Sequence, residues 1–298
     1  MDLDLAQLRT LEATVSAGTL DGAARALRVT PSAVSQRLKA LETSTGRVLL
    51  VRSKPVQVTP SGQALLRLAR QMDLLTADAT RELETEEHPQ RPATLPIAVN
   101  ADSLATWVLP ALAPLAGAHC FDLHRADQAH TSALLRAGTV MAAVTADADP
   151  VPGCSSTRLG GMRYRPVATR AFIDSWFPGG ATPAALTQAP VVVFDRSDDL
   201  QHAHLRACGV DPALPPVHHV PSSADYVSAV RLGWGWGMVP DLQNSARDLV
   251  ELGSDGAVDV VLYWQQWRLR SPSLDRVAAA VLAAGHRELD QNGSFLRR

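Results

Sequence analysis

Residues 18–42 decide the fold of the first part of the chain, and they read GTLDGAARALRVTPSAVSQRLKALE. Thr19 precedes an alanine-rich run, and Thr30-Pro31 combines an N-cap residue with proline at the first helical position. Each threonine therefore marks the start of a short helix. Before them, residues 5–15 carry leucine and valine at helical spacing. The sequence thus predicts a helix-turn-helix preceded by one further helix.

The helix that begins at Pro31 has two distinct faces. Val34, Leu38 and Leu41 fall on one face at i, i+4 and i+7, which is the spacing of a buried stripe. The polar residues of the other face are Ser32, Ser35, Gln36 and Lys39. Hydroxyl, amide and ammonium groups in one row suit the base edges and phosphates of a DNA major groove. A face that is merely solvated is the alternative, and this helix alone does not decide between them.

A predicted hairpin follows this helix. Residues 47–52 and 56–58 have the pattern of two strands, and residues 53–55 join them. Arg52 and Lys54 lie near its tip, where basic side chains would contact phosphates. A basic hairpin after a helix-turn-helix is typical of a winged helix, so this segment favours DNA binding.

Charge is distributed unevenly along the chain. Between Gly22 and Lys54, seven basic side chains stand against one carboxylate, a net +6, while the whole chain carries −2 and the remainder therefore −8. A basic module is thus joined to an acidic one. With a pI near 6.5, we expect a local DNA contact and not a protein that coats nucleic acid along its whole length.

A long helix is predicted from Pro60 to about residue 87, since no glycine follows Gly62 there. Its apolar residues near heptad spacing are Leu65, Leu68, Met72, Leu75, Ala79 and Leu83. This period indicates a two-stranded coiled coil, and a long helix packed on its own domain is the alternative. Three prolines in residues 88–96 indicate a linker, because they are expected to block both a helix and a central strand.

From residue 95 onward, predicted strands and helices alternate. The strands are expected at 95–100, 121–125, 140–145, 164–169, 191–194, 217–220 and 238–239, and the helices at 103–115, 131–136 and 224–231. Such alternation predicts open parallel sheets, which bind ligands at the carboxyl ends of their strands. Two lobes with crossing strands would place a ligand between them.

Several classes of protein are excluded by what the sequence lacks. At 298 residues the chain has room for two or three domains. Three widely spaced cysteines form no CxxC pair, so neither a disulfide scaffold nor a zinc ribbon is expected. An export signal and an apolar run of about 18 residues are not seen, so we expect a soluble, cytoplasmic chain without a membrane contact. Phosphate loops, nucleophile elbows and HExxH spacing are not seen either, so no enzyme, metal or cofactor is expected.

Residues 18–42, extended by the segment from Gly46 through Thr59-Pro-Ser-Gly62, resemble the N-terminal motif of LysR-type transcriptional regulators. The departures are Leu11, Leu20 and Leu50, where the family usually has phenylalanine. The resemblance implies an α+β multidomain fold. It comprises a winged helix-turn-helix at 1–59, a dimerisation helix at 60–88, and at 89–298 a two-lobed α/β effector domain similar to periplasmic binding proteins.

With this fold, the predicted DNA contacts fall on the recognition helix and the wing. They are Thr30, Pro31, Ser32, Ser35, Gln36, Arg37, Lys39, Arg52 and Lys54. Pro31 would set the start of the helix, and Arg37, Arg52 and Lys54 would hold phosphates.

Segments of the second module resemble the ArgP/LysG branch of this family, notably residues 100–107, 127–131, 233–237 and 263–268. The resemblance implies a response to a basic amino acid (lysine, arginine or also histidine) and activation of an amino-acid exporter gene. The effector-site candidates are Asn100, Asp102, Ser103, Trp107, Asp127, His130, Thr145, Asp147, Ser222, Ser223, Asp225 and Trp264.

Each candidate has a proposed role and a plainer alternative. The aspartates would pair with ammonium or guanidinium groups, a helix start at Asp102-Ser103 would hold a carboxylate, and a tryptophan would cover an aliphatic stem. Alternatively, Ser103 only caps a helix, Asp127 and Asp225 are surface carboxylates, and His130 is structural.

The sequence therefore predicts a transcriptional regulator. Its expected partners are double-stranded DNA, a basic amino acid, RNA polymerase and further copies of itself in a dimer or tetramer. The alternatives are a LysR-type regulator with another small-molecule effector, or a solute-binding protein. The latter would need an export signal and would not need the basic module.

Overall fold

The computed structural model describes residues 3–51, 53–83, 92–126, 128–253 and 256–291. The chain begins with a winged helix whose elements are α1 (Leu5–Ala17), α2 (Leu20–Leu27), α3 (Pro31–Thr45), β1 (Leu50–Val51) and β2 (Gln57–Val58). Its core is built from leucine, valine and alanine alone, because the sequence has no aromatic residue before Trp107. The predicted winged helix-turn-helix is confirmed.

Local hydrogen bonds explain why these helices begin and end where they do. The side chains of Thr19 and Thr30 accept the N–H groups of Gly22 and Ala33 and so cap α2 and α3. Arg28 adopts a left-handed conformation with φ 55°, and this turn is the connection between the two helices.

Two hydrogen bonds fix the base of the wing, just before β1. Glu42 accepts the N–H of Leu49 at 2.8 Å, and the hydroxyl of Thr59 donates to the carbonyl of Val48 at 2.7 Å. The single carboxylate of the basic segment thus holds the wing in place.

The long helix α4 (Pro60–Leu83) serves two parts of the molecule. In the first half, Leu65, Leu68 and Met72 pack on the core of the winged helix. This half therefore matches the alternative prediction, a long helix packed on its own domain. In the second half, Leu75, Ala79 and Leu83 are exposed within the chain. The apolar residues at heptad spacing therefore pack on the winged helix in the first half of α4 and form an exposed stripe in the second half.

The C-terminal unit starts with a lobe built on three parallel strands. Its elements are β3 (Ala93–Val99), α5 (Ala101–Ser103), a π-helical turn (Leu104–Val108), α6 (Leu109–Leu112), β4 (His119–Arg125), α7 (Gln128–Arg136) and β5 (Ala142–Thr145). β3 lies between β4 and β5 and pairs with both in parallel.

Pro96 corrects the interpretation of residues 88–96 as a linker, because it lies inside the central strand β3. The β3–β5 pairing begins only at Ile97, beside Ala142, so the N–H that proline lacks has no ladder position to fill. The carbonyl of Pro96 is used, since it accepts the N–H of Met141 at 2.9 Å.

Two long antiparallel strands connect the lobes. They are β6 (Cys154–Ala168) and β11 (Val258–Trp267), and β11 also pairs with β5. The second lobe contains α8 (Arg170–Trp176), α9 (Pro183–Gln188), β7 (Val191–Val193), α10 (Leu200–Ala207), β8 (Val217–His219), α11 (Ser223–Arg231), β9 (Gly237–Pro240) and β10 (Val250–Glu251). β7 and β8 are parallel, and β9 and β10 both pair with β6. The two-lobed α/β fold with crossing strands is confirmed.

The last helix, α12 (Pro272–Glu288), returns to the first lobe and packs against α6 and the π-helical turn. In the part of the chain that the structure describes, no helix has the length and apolarity needed to cross a membrane.

Candidate DNA-binding surface and ligand cleft

The polar row of α3 faces solvent. Val34, Leu38 and Leu41 are buried in the core of the winged helix, so the opposite side of the helix is left outside. Of that side, Ser32, Gln36 and Lys39 are exposed, while Ser35 and Arg37 are half-buried beside them. This arrangement presents donors and acceptors at the spacing of one helix face, as a major-groove reader requires.

The start of α3 and the wing complete this surface. The hydroxyl of Thr30 accepts the N–H of Ala33 at 3.2 Å and lies 2.9 Å from that of Ser32, so capping occupies it. Pro31 and Lys54 are exposed, and Arg52 lies outside the described residues.

A cleft of about 1340 Å³ opens between the two lobes. The carboxyl ends of β3, β4, β5 and β7 point into it, and the crossing strands form its floor. Four of the predicted effector residues line this cleft: Asn100, Asp102, His130 and Thr145. The Oδ1 atom of Asn100 is buried and lacks a hydrogen-bond partner among the described residues.

Asp102 joins the two lobes. Its Oδ2 accepts the hydroxyl of Tyr164 on the crossing strand at 2.7 Å, and its Oδ1 accepts the hydroxyl of Ser223 on the second lobe at 2.7 Å. Burial, reinforced by this carboxylate, raises the pKa of Tyr164 well above its usual value. The tyrosine therefore stays protonated and donates.

The three predicted residues at the start of α11 do not line the cleft. The hydroxyl of Ser223 contacts Asp102, which does line the cleft, and it accepts a hydrogen bond from the side-chain amide of Gln243 at 2.8 Å. Ser222 is half-buried, and Asp225 is exposed, which matches its alternative interpretation as a surface carboxylate.

An acidic loop, residues 195–199, lines the second lobe's side of the cleft and contains none of the predicted effector residues. Asp198 is partly buried and accepts the N–H groups of Phe194 and Leu200 at 3.3 and 3.1 Å. Burial raises its pKa, and these two hydrogen bonds oppose the rise. The loop directly follows the predicted strand at 191–194. The rule that ligands bind at the carboxyl ends of parallel strands would have identified it.

Negative groups dominate the cleft. Among the described residues that line it, the carboxylates are Asp102, Asp195, Asp198, Asp199 and Asp259, and the one arginine is Arg125. Asp199 pairs with Arg206 at 2.6 Å and Asp259 with Arg163 at 2.8 Å, whereas Asp102 and Asp198 are held by neutral donors. Burial lowers the pKa of His204, so this lining histidine is neutral. Such a cleft is suited to a cationic ligand.

Four other predicted effector residues lie elsewhere in the C-terminal unit. Trp107 and Trp264 are 3% and 2% exposed and belong to the hydrophobic core, so neither covers a ligand in the cleft. Ser103 is fully buried, and Asp147 accepts a hydrogen bond from Ser132 at 3.2 Å without lining the cleft. These residues are held by packing between distant strands and helices, which local patterns do not reveal.

Asp127 lies outside the described residues. Within the described ranges, no group of three or more histidine, cysteine or acidic side chains is arranged to hold a metal ion.

Comparisons with known proteins agree with this architecture. Residues 5–63 match the family described as "Bacterial regulatory helix-turn-helix protein, lysR family", and residues 89–285 match the "LysR substrate binding domain". The transcriptional regulator LysG of Mycobacterium tuberculosis (strain H37Rv) is 44% identical over 95% of this chain and 93% of its own length.

Two solved structures are similar over nearly the whole chain. The crystal structure of ArgP from Mycobacterium tuberculosis superimposes with a TM-score of 0.86 at 40% identity, covering 98% of this chain and 100% of the other. Full-length LysG from Corynebacterium glutamicum with bound effector Arg has a TM-score of 0.75 at 38% identity, covering 97% and 100%.

Proposed function

This chain belongs to the LysR family of transcriptional regulators, and on that premise we propose that it is a sequence-specific DNA-binding regulator whose response is set by lysine or arginine. The observation that carries the choice of ligand is the cleft itself, in which five carboxylates accompany one arginine. An apolar or anionic effector would leave Asp102 and Asp198, which are held by neutral donors, without a cationic partner.

On DNA, α3 enters the major groove. Ser32, Gln36 and Lys39 are exposed on its outer face and reach base edges, while Arg37 and the wing residues Arg52 and Lys54 neutralise phosphates. The affinity for DNA therefore falls with salt, in proportion to the number of phosphates contacted.

In the cleft, the ligand's cationic groups face Asp102 and Asp198, and its α-carboxylate faces Arg125. Asp102 already connects the first lobe to Tyr164 and Ser223, so a cation bound there interacts with both lobes at once. Binding then favours one relative position of the lobes, which is the differential affinity that a ligand-driven switch needs. The arginine bound to the relative from Corynebacterium glutamicum supports this ligand class.

We propose further that the regulator acts in the cytoplasm as a dimer or tetramer, contacts RNA polymerase, and activates an amino-acid exporter gene. The exposed stripe of Leu75, Ala79 and Leu83 supports self-association. Pairing two winged helices is what allows a two-fold DNA site to be read.

The test measures binding of the full-length chain to DNA from upstream of its own gene by fluorescence anisotropy. Titrations at two salt concentrations, with lysine, arginine or leucine, separate the DNA contact from the ligand response. Asp198→Asn removes the charge and keeps an acceptor oxygen for one of the two backbone N–H groups, so we expect it to weaken the lysine response about tenfold or more with little change in DNA affinity.

Asp225→Asn is the matched control, because Asp225 is exposed on α11 and does not line the cleft. A response to leucine equal to that to lysine would contradict the cationic effector. Equal affinity for the upstream DNA and for a random duplex would contradict sequence-specific binding at this site.

A further inference from the structure

Arg70 connects the two functional parts of the molecule inside one chain. It lies on α4, and its guanidinium donates a hydrogen bond through NH1 to the carbonyl oxygen of Gly138 in the first lobe. Its Nε atom lies 3.7 Å from Oε1 of Glu12 on α1 of the winged helix. One side chain therefore contacts the DNA-binding domain and the effector domain at once.

Gly138 is linked to the ligand cleft through α7. It lies in the turn two residues after this helix, whose residues His130, Thr131 and Leu134 line the cleft, and it has a left-handed φ of 69°. A Cβ atom at Gly138 would lie 2.8 Å from Cβ and 2.9 Å from Cα of Arg67. The end of α7 is thus in direct backbone contact with α4, and a shift of α7 displaces the acceptor of Arg70.

The environment of Arg70 makes it sensitive to such a displacement. Only 11% of its side chain is exposed, and burial lowers its pKa while Glu12 and Asp122 oppose the fall. A buried guanidinium that loses one of its acceptors is destabilised, because water does not replace the lost hydrogen bond. On the other side, α1 packs against α3, the helix with the predicted DNA contacts.

We propose that Arg70 is a coupling residue, which transmits the occupancy of the cleft from the end of α7 to α1 and thereby to the DNA-binding surface. The inference rests on the proposed function, because it requires a ligand in the cleft and DNA on the winged helix. It adds a specific residue and a route, and it predicts that this route is separable from ligand binding itself.

A second contact of α4 with the C-terminal unit differs in kind. Asp78 is buried and accepts hydrogen bonds from the hydroxyls of Ser271 and Ser273 at the start of α12. These three residues do not line the cleft. This contact anchors α4 to the effector domain, whereas the Arg70 contact faces a helix that the ligand touches.

The experiment compares Arg70→Lys with Arg9→Lys in the full-length chain. Arg9 pairs with Asp73 at 2.8 Å and likewise joins α1 to α4, and among the described residues it forms no ion pair with the effector domain. Lysine keeps the charge at both positions and removes the forked geometry that lets Arg70 serve two acceptors. Glu12→Gln is a second test variant, which removes the negative charge that Arg70 faces on α1.

For each variant, anisotropy gives the DNA dissociation constant with and without saturating lysine, and calorimetry gives lysine binding without DNA. We expect Arg70→Lys and Glu12→Gln to reduce the lysine-induced change in DNA affinity by about threefold or more while lysine affinity stays within about twofold. Arg9→Lys should keep the response of the parent chain. By linkage, DNA should also lose its effect on lysine binding in the first two variants.

An undiminished lysine response in both test variants would overturn the proposal. So would a fall in lysine affinity as large as the fall in response, because Arg70 would then act by shaping the cleft. A parent chain that binds neither lysine nor arginine in calorimetry would instead refute the proposed function, and that result is read before any variant is made.

Discussion

At the scale of single residues, His119 is the buried titratable group with the clearest consequence. It lies at the start of β4, it is 1% exposed, and neither of its ring nitrogens has a hydrogen-bond partner among the described residues. Burial lowers its pKa, the positive charges of Arg81 and Arg276 lower it further, and Asp78 opposes them. In the folded chain the imidazole is therefore neutral at pH values where it would be protonated in water.

The sign of the pH dependence follows from this shift. Below about pH 6.5 the unfolded chain binds a proton at His119 that the folded chain does not, so stability falls as the pH decreases. We expect His119→Leu to flatten this loss by up to about 1.4 kcal/mol per pH unit, measured as the free energy of urea unfolding between pH 7.5 and 5.5. His286→Leu, at an exposed position on α12, is the control. Parallel curves for His119→Leu and the parent chain would contradict the prediction.

At the scale of elements, the helix-turn-helix was predictable because its signals are local. Thr30 caps α3 through a bond to a residue three positions away, and Val34 and Leu38 are buried as their spacing indicates. The packing of α4 was predictable only in part. Its heptad pattern is continuous, but Leu65 packs inside the chain whereas Leu83 is exposed. Sequence spacing does not say where along a helix the partner changes.

The ligand cleft was predicted less well, and for a physical reason. Asn100 and Asp102 are predicted through the family resemblance of residues 100–107, whereas Asp198, which follows β7 as they follow β3, lies in no segment that carries the resemblance. Trp107 and Trp264 were chosen for their chemistry, but their burial depends on packing between elements that are distant in the sequence. The sequence indicates which groups can bind a cation, and the three-dimensional packing decides which of them reach the cleft.

The junction between the wing and α4 gives a prediction about elements. At Gly62, a Cβ atom would lie 2.1 Å from the carbonyl oxygen of Leu49 and 2.8 Å from Cγ1 of Val58. Gly62→Ala must therefore push the wing away from the start of α4, at a cost of about 1–3 kcal/mol. We expect a lower urea midpoint and weaker DNA binding. Gly117→Ala, where a Cβ meets nothing within 4 Å, is the matched control, and equal midpoints for the two variants would refute the prediction.

At the scale of the whole molecule, the exposed half of α4 is the surface on which the proposed association of copies would depend. Leu75 and Leu83 are 39% and 84% exposed, and with Ala79 they form one stripe at four-residue spacing. A neighbouring side of the same segment is occupied, because Leu74 belongs to the core of the C-terminal unit and Asp78 bonds to α12. A second helix can therefore approach only from the free side, and it would bring a second winged helix with it.

Glutamate at both leucines, Leu75→Glu with Leu83→Glu, should prevent this association, since it would place charges inside an apolar helix pair. We expect the mass in solution, measured by light scattering, to fall to that of one chain. The affinity for a two-fold DNA site should fall about 100-fold or more, because linked half-sites bind with a high effective concentration. Leu214→Glu adds the same charge at a leucine that is 57% exposed in the loop between α10 and β8, and it should leave mass and affinity unchanged. If the double variant keeps the mass of the parent chain, the pairing surface lies elsewhere, and the free stripe of α4 must be assigned another role.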